Sequence, residues 1–250
     1  MSNILTTHVG SLPRSKELSE FLFAKDKGEK FSQSSFDEVL KNNVESVVKR
    51  QLDVGIDFVS DGEMSKISYA TYIKDRIDGF SGESERRAPA DLDDFPEYKE
   101  KIAKSGGTPT YTRPCCTNEL KVKDEKSLLQ DINNFKNSLD KLNHRHAFMN
   151  SASPGVINVF MPNKFYSTED EYLDKLSNIM AKEYELITKS DIQVQLDCPD
   201  LALARHMNFK NLSEDEFIKR AELQIECLNS ALSNVDVEQT RMHICWGNYE

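Results

Sequence analysis

The sequence predicts an α/β fold, a TIM (β/α)8-type barrel, on three observations. Short apolar segments alternate with amphipathic helical stretches along most of the 250 residues, the pattern of parallel strands joined by crossover helices. Polar residues gather at the C-terminal ends of those segments, at Ser11, Glu63, Asp197, His243 and Cys245, and in such a barrel that end carries the chemistry. A doubly wound open sheet also binds ligands at strand ends. However, no strand-to-helix turn carries the Gly-rich loop of a dinucleotide or phosphate site, and the barrel is therefore preferred.

The elements follow in order. Ile4 to Val9 reads as a first strand, stopped by Gly10 and Pro13. A helix follows from Ser15 to about Ala24, and a second starts at Ser35 with Glu38 three residues on, a capping-box pattern. Its apolar positions from Phe36 to Leu52 keep helical spacing, and Gly55 ends it. Ile56 to Ser60 is a short buried strand leading into Asp61-Gly62-Glu63. From about residue 65 to 111 the pattern loosens, punctuated by Gly79, Gly82, Pro89, Pro96, Gly106, Gly107 and Pro109. This stretch reads as a long insertion, and a lid over the barrel mouth is expected of it. Regularity returns with a strand at Cys115 to Val122, a helix at Ser127 to Leu142, and a strand at Arg145 to Asn150. A helix at Glu169 to Lys189 and a strand at Ile192 to Leu196 follow. The last two elements are a helix at Ser213 to Leu232, with Glu216 completing a capping box, and a strand at Met242 to Cys245. The expectation is one barrel domain over residues 1–250 with about six of eight strands. A full barrel would need roughly 70–120 further residues at typical βα spacing.

Composition excludes several classes. Lys and Arg total 32 against 42 Asp and Glu, a formal charge of −10, and no basic stripe offers a nucleic-acid surface. The apolar runs are too short to span a membrane, and Met1 to Gly10 does not read as a secretory signal. Five cysteines make no disulfide framework, which suits a reducing cytoplasm. Small-molecule substrates are the expected partners.

Four stretches can carry chemistry. His243-Ile244-Cys245 sets a nitrogen and a sulfur donor two apart on a strand, on one face, where both can reach one zinc ion. A buried cysteine beside a hydrogen-bonded histidine explains the same pair. Asp197, at a strand end before Cys198-Pro199, suits an ammonium group, or caps the turn. In Asp61-Gly62-Glu63, Glu63 can bind an amine, or the stretch is a solvated turn. Val9, Gly10 and Ser11 offer backbone N–H groups and a hydroxyl to a carboxylate, or form an ordinary strand exit. Cys115, Cys116 and Cys227 read as structural, and His144 and His146 carry no role.

Taken together, Thr7-His8-Val9-Gly10-Ser11-Leu12-Pro13-Arg14, Gln51 to Asp57 with Ser60-Asp61-Gly62-Glu63, Gln195-Leu196-Asp197-Cys198-Pro199, and His243-Ile244-Cys245-Trp246-Gly247-Asn248 resemble the cobalamin-independent methionine synthases. The short single-barrel members are the better match. The resemblance implies a cytoplasmic zinc-dependent S-methyltransferase that moves a methyl group from 5-methyltetrahydrofolate, or another carrier, to the thiol of homocysteine. It implies that His243 and Cys245 are metal ligands. It further implies that Val9, Gly10 and Ser11 hold the amino-acid carboxylate and that Glu63 and Asp197 hold its ammonium. The family's remaining zinc ligands and its general-acid histidine lie on later strands. No catalytic residue is therefore assigned within this sequence, Glu250 is too close to Cys245 to be the distant ligand, and a missing C-terminal segment is expected. The alternatives are a related barrel enzyme that adds a thiol to an epoxide, or a catalytically dead truncated remnant. Glu63 with Asp197 favours an amino-acid thiol.

Overall fold

The computed structural model describes residues 4–85, 90–104, 111–123 and 125–247. Pro89, Gly106, Gly107, Pro109, Asn248 and Glu250, which the sequence reading used, lie outside them. The helices are α1 (Lys16–Asp26), α2 (Gln33–Asp53), α3 (Pro96–Lys104), α4 (Lys126–Leu139), α5 (Pro154–Phe160), α6 (Glu169–Thr188) and α7 (Glu214–Ala231). The strands are β1 (Phe58–Ser60), β2 (Ile77–Ser81), β3 (Cys115–Val122), β4 (His146–Ala152), β5 (Gln193–Asp197) and β6 (Thr240–His243).

The wall of the barrel is a parallel sheet in the order β1-β4-β5-β6. Thr7 adds a single parallel bridge to Phe58 on its outer side, so the expected first strand is reduced to one rung. Thr6 explains why: its main-chain N–H and hydroxyl both bond the Asp57 carboxylate, at 2.9 and 3.0 Å, where a ladder would otherwise continue. β3 does not join the wall. It pairs antiparallel with β2, a strand the sequence reading missed, in a separate two-stranded ribbon. Gly79 in β2 hides this strand from a periodicity argument; its φ is +107°, and a Cβ there would meet the Asn118 and Glu119 carbonyls at 2.9 Å. Helices α2, α4, α6 and α7 pack against the wall or one another through buried aliphatic rows such as Leu40, Val44 and Val48, and Leu173, Leu176 and Met180.

Several boundaries differ for local reasons. α2 is capped by Ser32, whose hydroxyl accepts from the Ser35 N–H at 3.3 Å, so Ser35 lies inside the helix. α7 has the full capping box of Ser213 and Glu216. α5 was not expected: Ser153 caps it and Pro154 opens it, a start that suits proline because the first turn has no carbonyl to bond. β6 stops at His243, so Cys245 lies beyond the strand, contrary to the strand expected through Cys245.

The expected insertion divides in two. Residues 66–76 enter the interior, with Ala70, Tyr72 and Ile73 buried in the core. The ribbon, a 3-10 turn at Ala90–Asp94 and α3 lie beyond it. No described helix is long and apolar enough to cross a membrane.

Candidate active site

The site is built on the C-terminal ends of the wall strands. Gln51 fixes the end of β1: its amide donates to the Ser60 carbonyl at 2.8 Å and accepts from the Ser60 N–H at 3.0 Å, taking the place of a neighbouring strand. The chain then turns sharply. Gly62 has φ +64° and Glu63 φ +55°. A Cβ on Gly62 would meet Met64 Cε at 2.9 Å and Leu12 Cβ at 3.1 Å, so glycine is needed there for both space and backbone. Asp61 braces the turn by accepting the Glu63 N–H at 3.1 Å. Arg14 locks it by donating to the Glu63 and Lys66 carbonyls, both at 2.8 Å.

These constraints aim Glu63 at the first segment. Ser11 Oγ donates to Glu63 Oε2 at 3.0 Å, and a Cβ on Gly10 would lie 2.8 Å from Glu63 Oε1. The Gly10 and Ser11 N–H groups have no acceptor among the described residues. Val9 contributes its carbonyl, which accepts from Asn150 at 3.0 Å and from Gln195 at 2.6 Å.

Asp197 ends β5. It accepts Asn150 Nδ2 at 3.3 and 3.1 Å and Gln195 Nε2 at 3.0 Å. Asn150 and Gln195 are register partners on β4 and β5, so two neutral amides rise side by side and hold the carboxylate against the Val9 carbonyl. Lys66, only 3% exposed, donates to the Asn150 main-chain carbonyl, with its ammonium 4.3 Å from the centre of the Tyr72 ring.

Burial raises Glu63 and Asp197 above the usual carboxylate range. Lys66 pulls both down, the Asp197 charge pushes Glu63 further up, and the two amides pull Asp197 down. Asp61 is pushed up to about 6 by burial, against the pull of Lys66. Two facing carboxylates with raised proton affinity form a site that a cation relieves.

His243 pairs in register with Asp197. Its proton affinity is lowered by burial, against the pull of Glu63; neutral imidazole is the donor form. The Cys245 thiol is raised by burial and by the Asp197 charge. Among the described residues no group of three or more His, Cys, Asp or Glu is placed to hold a metal ion. His243 and Cys245 are donor types that zinc takes, and a four-coordinate site would need two more.

The insertion reaches the same end. Trp246 Nε1 donates to Asp91 Oδ2 at 3.1 Å, and the ring packs on His206 at a 34° tilt with centroids 4.3 Å apart. Beside it lies a cleft lined by Ser84, Arg113, Phe160 and Met207. There the Arg113 guanidinium lies 4.8 Å from the centre of the Phe160 ring.

A family model described as the catalytic domain of cobalamin-independent synthase matches residues 4–89. The methionine synthase of Sulfolobus acidocaldarius is 25% identical over 245 residues, covering 98% of this chain and 62% of the relative. The B12-independent methionine synthase from Shewanella sp. W3-18-1, solved in complex with selenomethionine, superimposes with a TM-score of 0.68 at 17% identity. That match covers 97% of this chain and 61% of that one.

Over nearly its whole length the chain is similar to cobalamin-independent methionine synthases. It spans about 62% of the length of the Sulfolobus relative. The 5-methyltetrahydropteroyltriglutamate–homocysteine methyltransferase of Bifidobacterium adolescentis is 31% identical over 75 residues, which is 30% of this chain and 10% of that protein. The fold shared with the solved methionine synthases is the TIM-type barrel.

The structure brings Val9, Gly10, Ser11, Glu63 and Asp197 to one end of the wall, with His243 ending the adjoining strand and Cys245 just beyond it. Sequence reading missed Lys66 and Asn150, and gave no role of their own to Gln195 and Arg14, which it quoted within longer motifs. Asn150 did carry a signal, since it is a polar residue following the apolar run Ala147-Phe148-Met149 inside a strand. Lys66 carried none, because a lysine three residues past a turn reads as solvated.

Proposed function

We propose that this chain supplies the amino-acid-binding part of an S-methyltransferase that moves a methyl group from 5-methyltetrahydrofolate, or another methyl carrier, to the thiol of homocysteine, yielding methionine. The observation that carries the reading is the pairing of two buried carboxylates, Glu63 and Asp197, beside the unbonded N–H groups of Gly10 and Ser11. A zwitterion needs a grip for each charge. Glu63 and Asp197 hold the ammonium. The Gly10 and Ser11 amides hold the carboxylate, joined by the Ser11 hydroxyl once Glu63 turns from it to the ammonium. The selenomethionine in the Shewanella relative is a ligand of the chemistry this arrangement suits.

In the reaction the substrate sulfur forms a bond to the methyl carbon, the bond from that carbon to the carrier nitrogen breaks, and the nitrogen takes up a proton. The chain's described part is to orient the amino acid so that its sulfur points toward His243 and Cys245. Those two residues would hold a zinc ion, which on binding a thiol stabilises the nucleophilic thiolate. The Arg113–Phe160 cleft is the place for a flat, anionic methyl carrier.

Calorimetry of the 250-residue chain with L-methionine and L-homocysteine tests the reading. Binding that weakens by more than about tenfold in Glu63→Gln and in Asp197→Asn, the scale of one charged hydrogen bond, supports it. Binding indifferent to both variants sinks it.

A further inference from the structure

The amide oxygen of Asn150 is a buried side-chain acceptor of the cradle without a partner among the described residues. Asn150 is 2% exposed, and its Oδ1 is buried with no hydrogen bond. The orientation of the amide is forced: Nδ2 faces only acceptors, the Val9 carbonyl and both oxygens of Asp197, so exchanging nitrogen and oxygen would set oxygen against oxygen. The amide nitrogen lies against Asp197 and near the Gly10 backbone that Glu63 approaches. It is 3.1 Å from Asp197 and 3.7 Å from the Cβ position of Gly10, which in turn is 2.8 Å from Glu63 Oε1. Lys66 anchors the same residue from behind through its main-chain carbonyl. A buried acceptor left unmatched is costly, and a native structure keeps one where something else supplies the donor.

We propose that Asn150 is a further substrate-binding residue, whose amide oxygen accepts the third N–H of the amino-acid ammonium while Glu63 and Asp197 accept the other two. The inference rests on the amino-acid reading above and adds a residue and a selectivity to it. An ammonium has three hydrogens, and two carboxylates leave one unmatched. A neutral amide matches it without adding a third negative charge to a pair already strained by repulsion. The site then discriminates by counting N–H donors: a primary α-amine satisfies it, and an analogue without the amine leaves three buried acceptors unmet.

The test uses the full chain, calorimetry, and two ligands that differ only in the amine, L-methionine and 4-(methylthio)butanoate. In Asn150→Ala, methionine is expected to bind at least about tenfold more weakly, the loss of one hydrogen bond to a charged group, with the deaminated ligand unchanged. Asn150→Ser, polar but too short to reach, gives the same pattern should the alanine variant fail to fold. The two variants are repeated in an Asp197→Asn background, because Asn150 also aligns Asp197. A loss that persists there supports direct contact with the ammonium. A loss that vanishes there, an equal loss for both ligands, or no loss of methionine binding overturns it. Wild-type chain that binds neither ligand overturns the amino-acid reading, and this inference with it.

Discussion

Replacing Arg76 with methionine should be among the most damaging single changes in the molecule, and its damage should depend on pH. The Arg76 guanidinium is buried between two carboxylates, 2.6 Å from Asp131 and 2.7 Å from Glu183. Glu183 also accepts the Tyr72 hydroxyl at 2.5 Å and the Ser151 hydroxyl at 2.7 Å, which ties α6 to β4 beneath the site. Burial alone would raise Glu183, but Arg76, Lys66 and the two hydroxyls outweigh it and hold the group below its ordinary value. Such a group stabilises the fold above its unfolded pKa, and the contribution is lost as pH falls through the folded one. Methionine matches the stem of arginine and removes the charge, leaving two carboxylates buried without their cation. The expected loss at pH 7 is about 3–5 kcal/mol. In the variant Glu183 loses the charge that holds it down, so its protonation at pH 5 relieves part of the penalty. Urea unfolding at the two pH values reads this directly. The loss should shrink by about 1 kcal/mol or more at pH 5, since one pKa unit is worth about 1.4 kcal/mol. Adding Asp131→Leu and Glu183→Met should recover most of it. A loss under about 1 kcal/mol, or one independent of pH, would refute the reasoning.

Asp61→Asn should stabilise the chain at pH 7 by up to about 3 kcal/mol and leave it unchanged at pH 4. A carboxyl raised from 3.8 to about 6 loses stability as pH rises through that window, and asparagine keeps the acceptor for the Glu63 N–H; thermal melts at the two pH values decide. Gly155→Ala should cost about 2–3 kcal/mol by overpacking, because its Cβ would overlap the Asp200 carboxylate and come within 3.2 Å of Gln224 Cδ; a melt within 0.5 °C of wild type would count against it. Asp91→Ala should release the insertion from Trp246. Because this is the only tryptophan, its emission should shift, and cleavage within the insertion should become faster in limited proteolysis.

Elements with a local cause were legible in the sequence. α6 and α7 announce themselves by long apolar rows, and α7 by its capping box. β1, β4 and β5 announce themselves as apolar runs closed by polar turns. What escaped was whatever depends on a distant partner. The Thr7 segment has the composition of a strand, yet the Thr6 N–H and hydroxyl are taken by the Asp57 side chain. β3 is a strand in its own right, but its partner is β2, with a register shift around Gly79, rather than the wall. The site divides in the same way. Glu63, Asp197, His243 and Cys245 stand beside glycine, proline or another donor, and that company marks them. Asn150 and Lys66 matter through neighbours 47 and 84 residues away, which no spacing rule reaches.

The left-handed backbone at Glu63 has a consequence for how this chain can change. A non-glycine residue in that conformation costs roughly 1–2 kcal/mol, so glycine at position 63 would relax the turn while discarding the carboxylate. Selection for thermal robustness alone therefore pushes this position away from glutamate, and a library screened only for heat resistance should enrich glycine or asparagine there. A lineage that keeps glutamate at position 63 is paying a standing conformational toll, and its persistence would be a fossil of ligand binding readable without any assay.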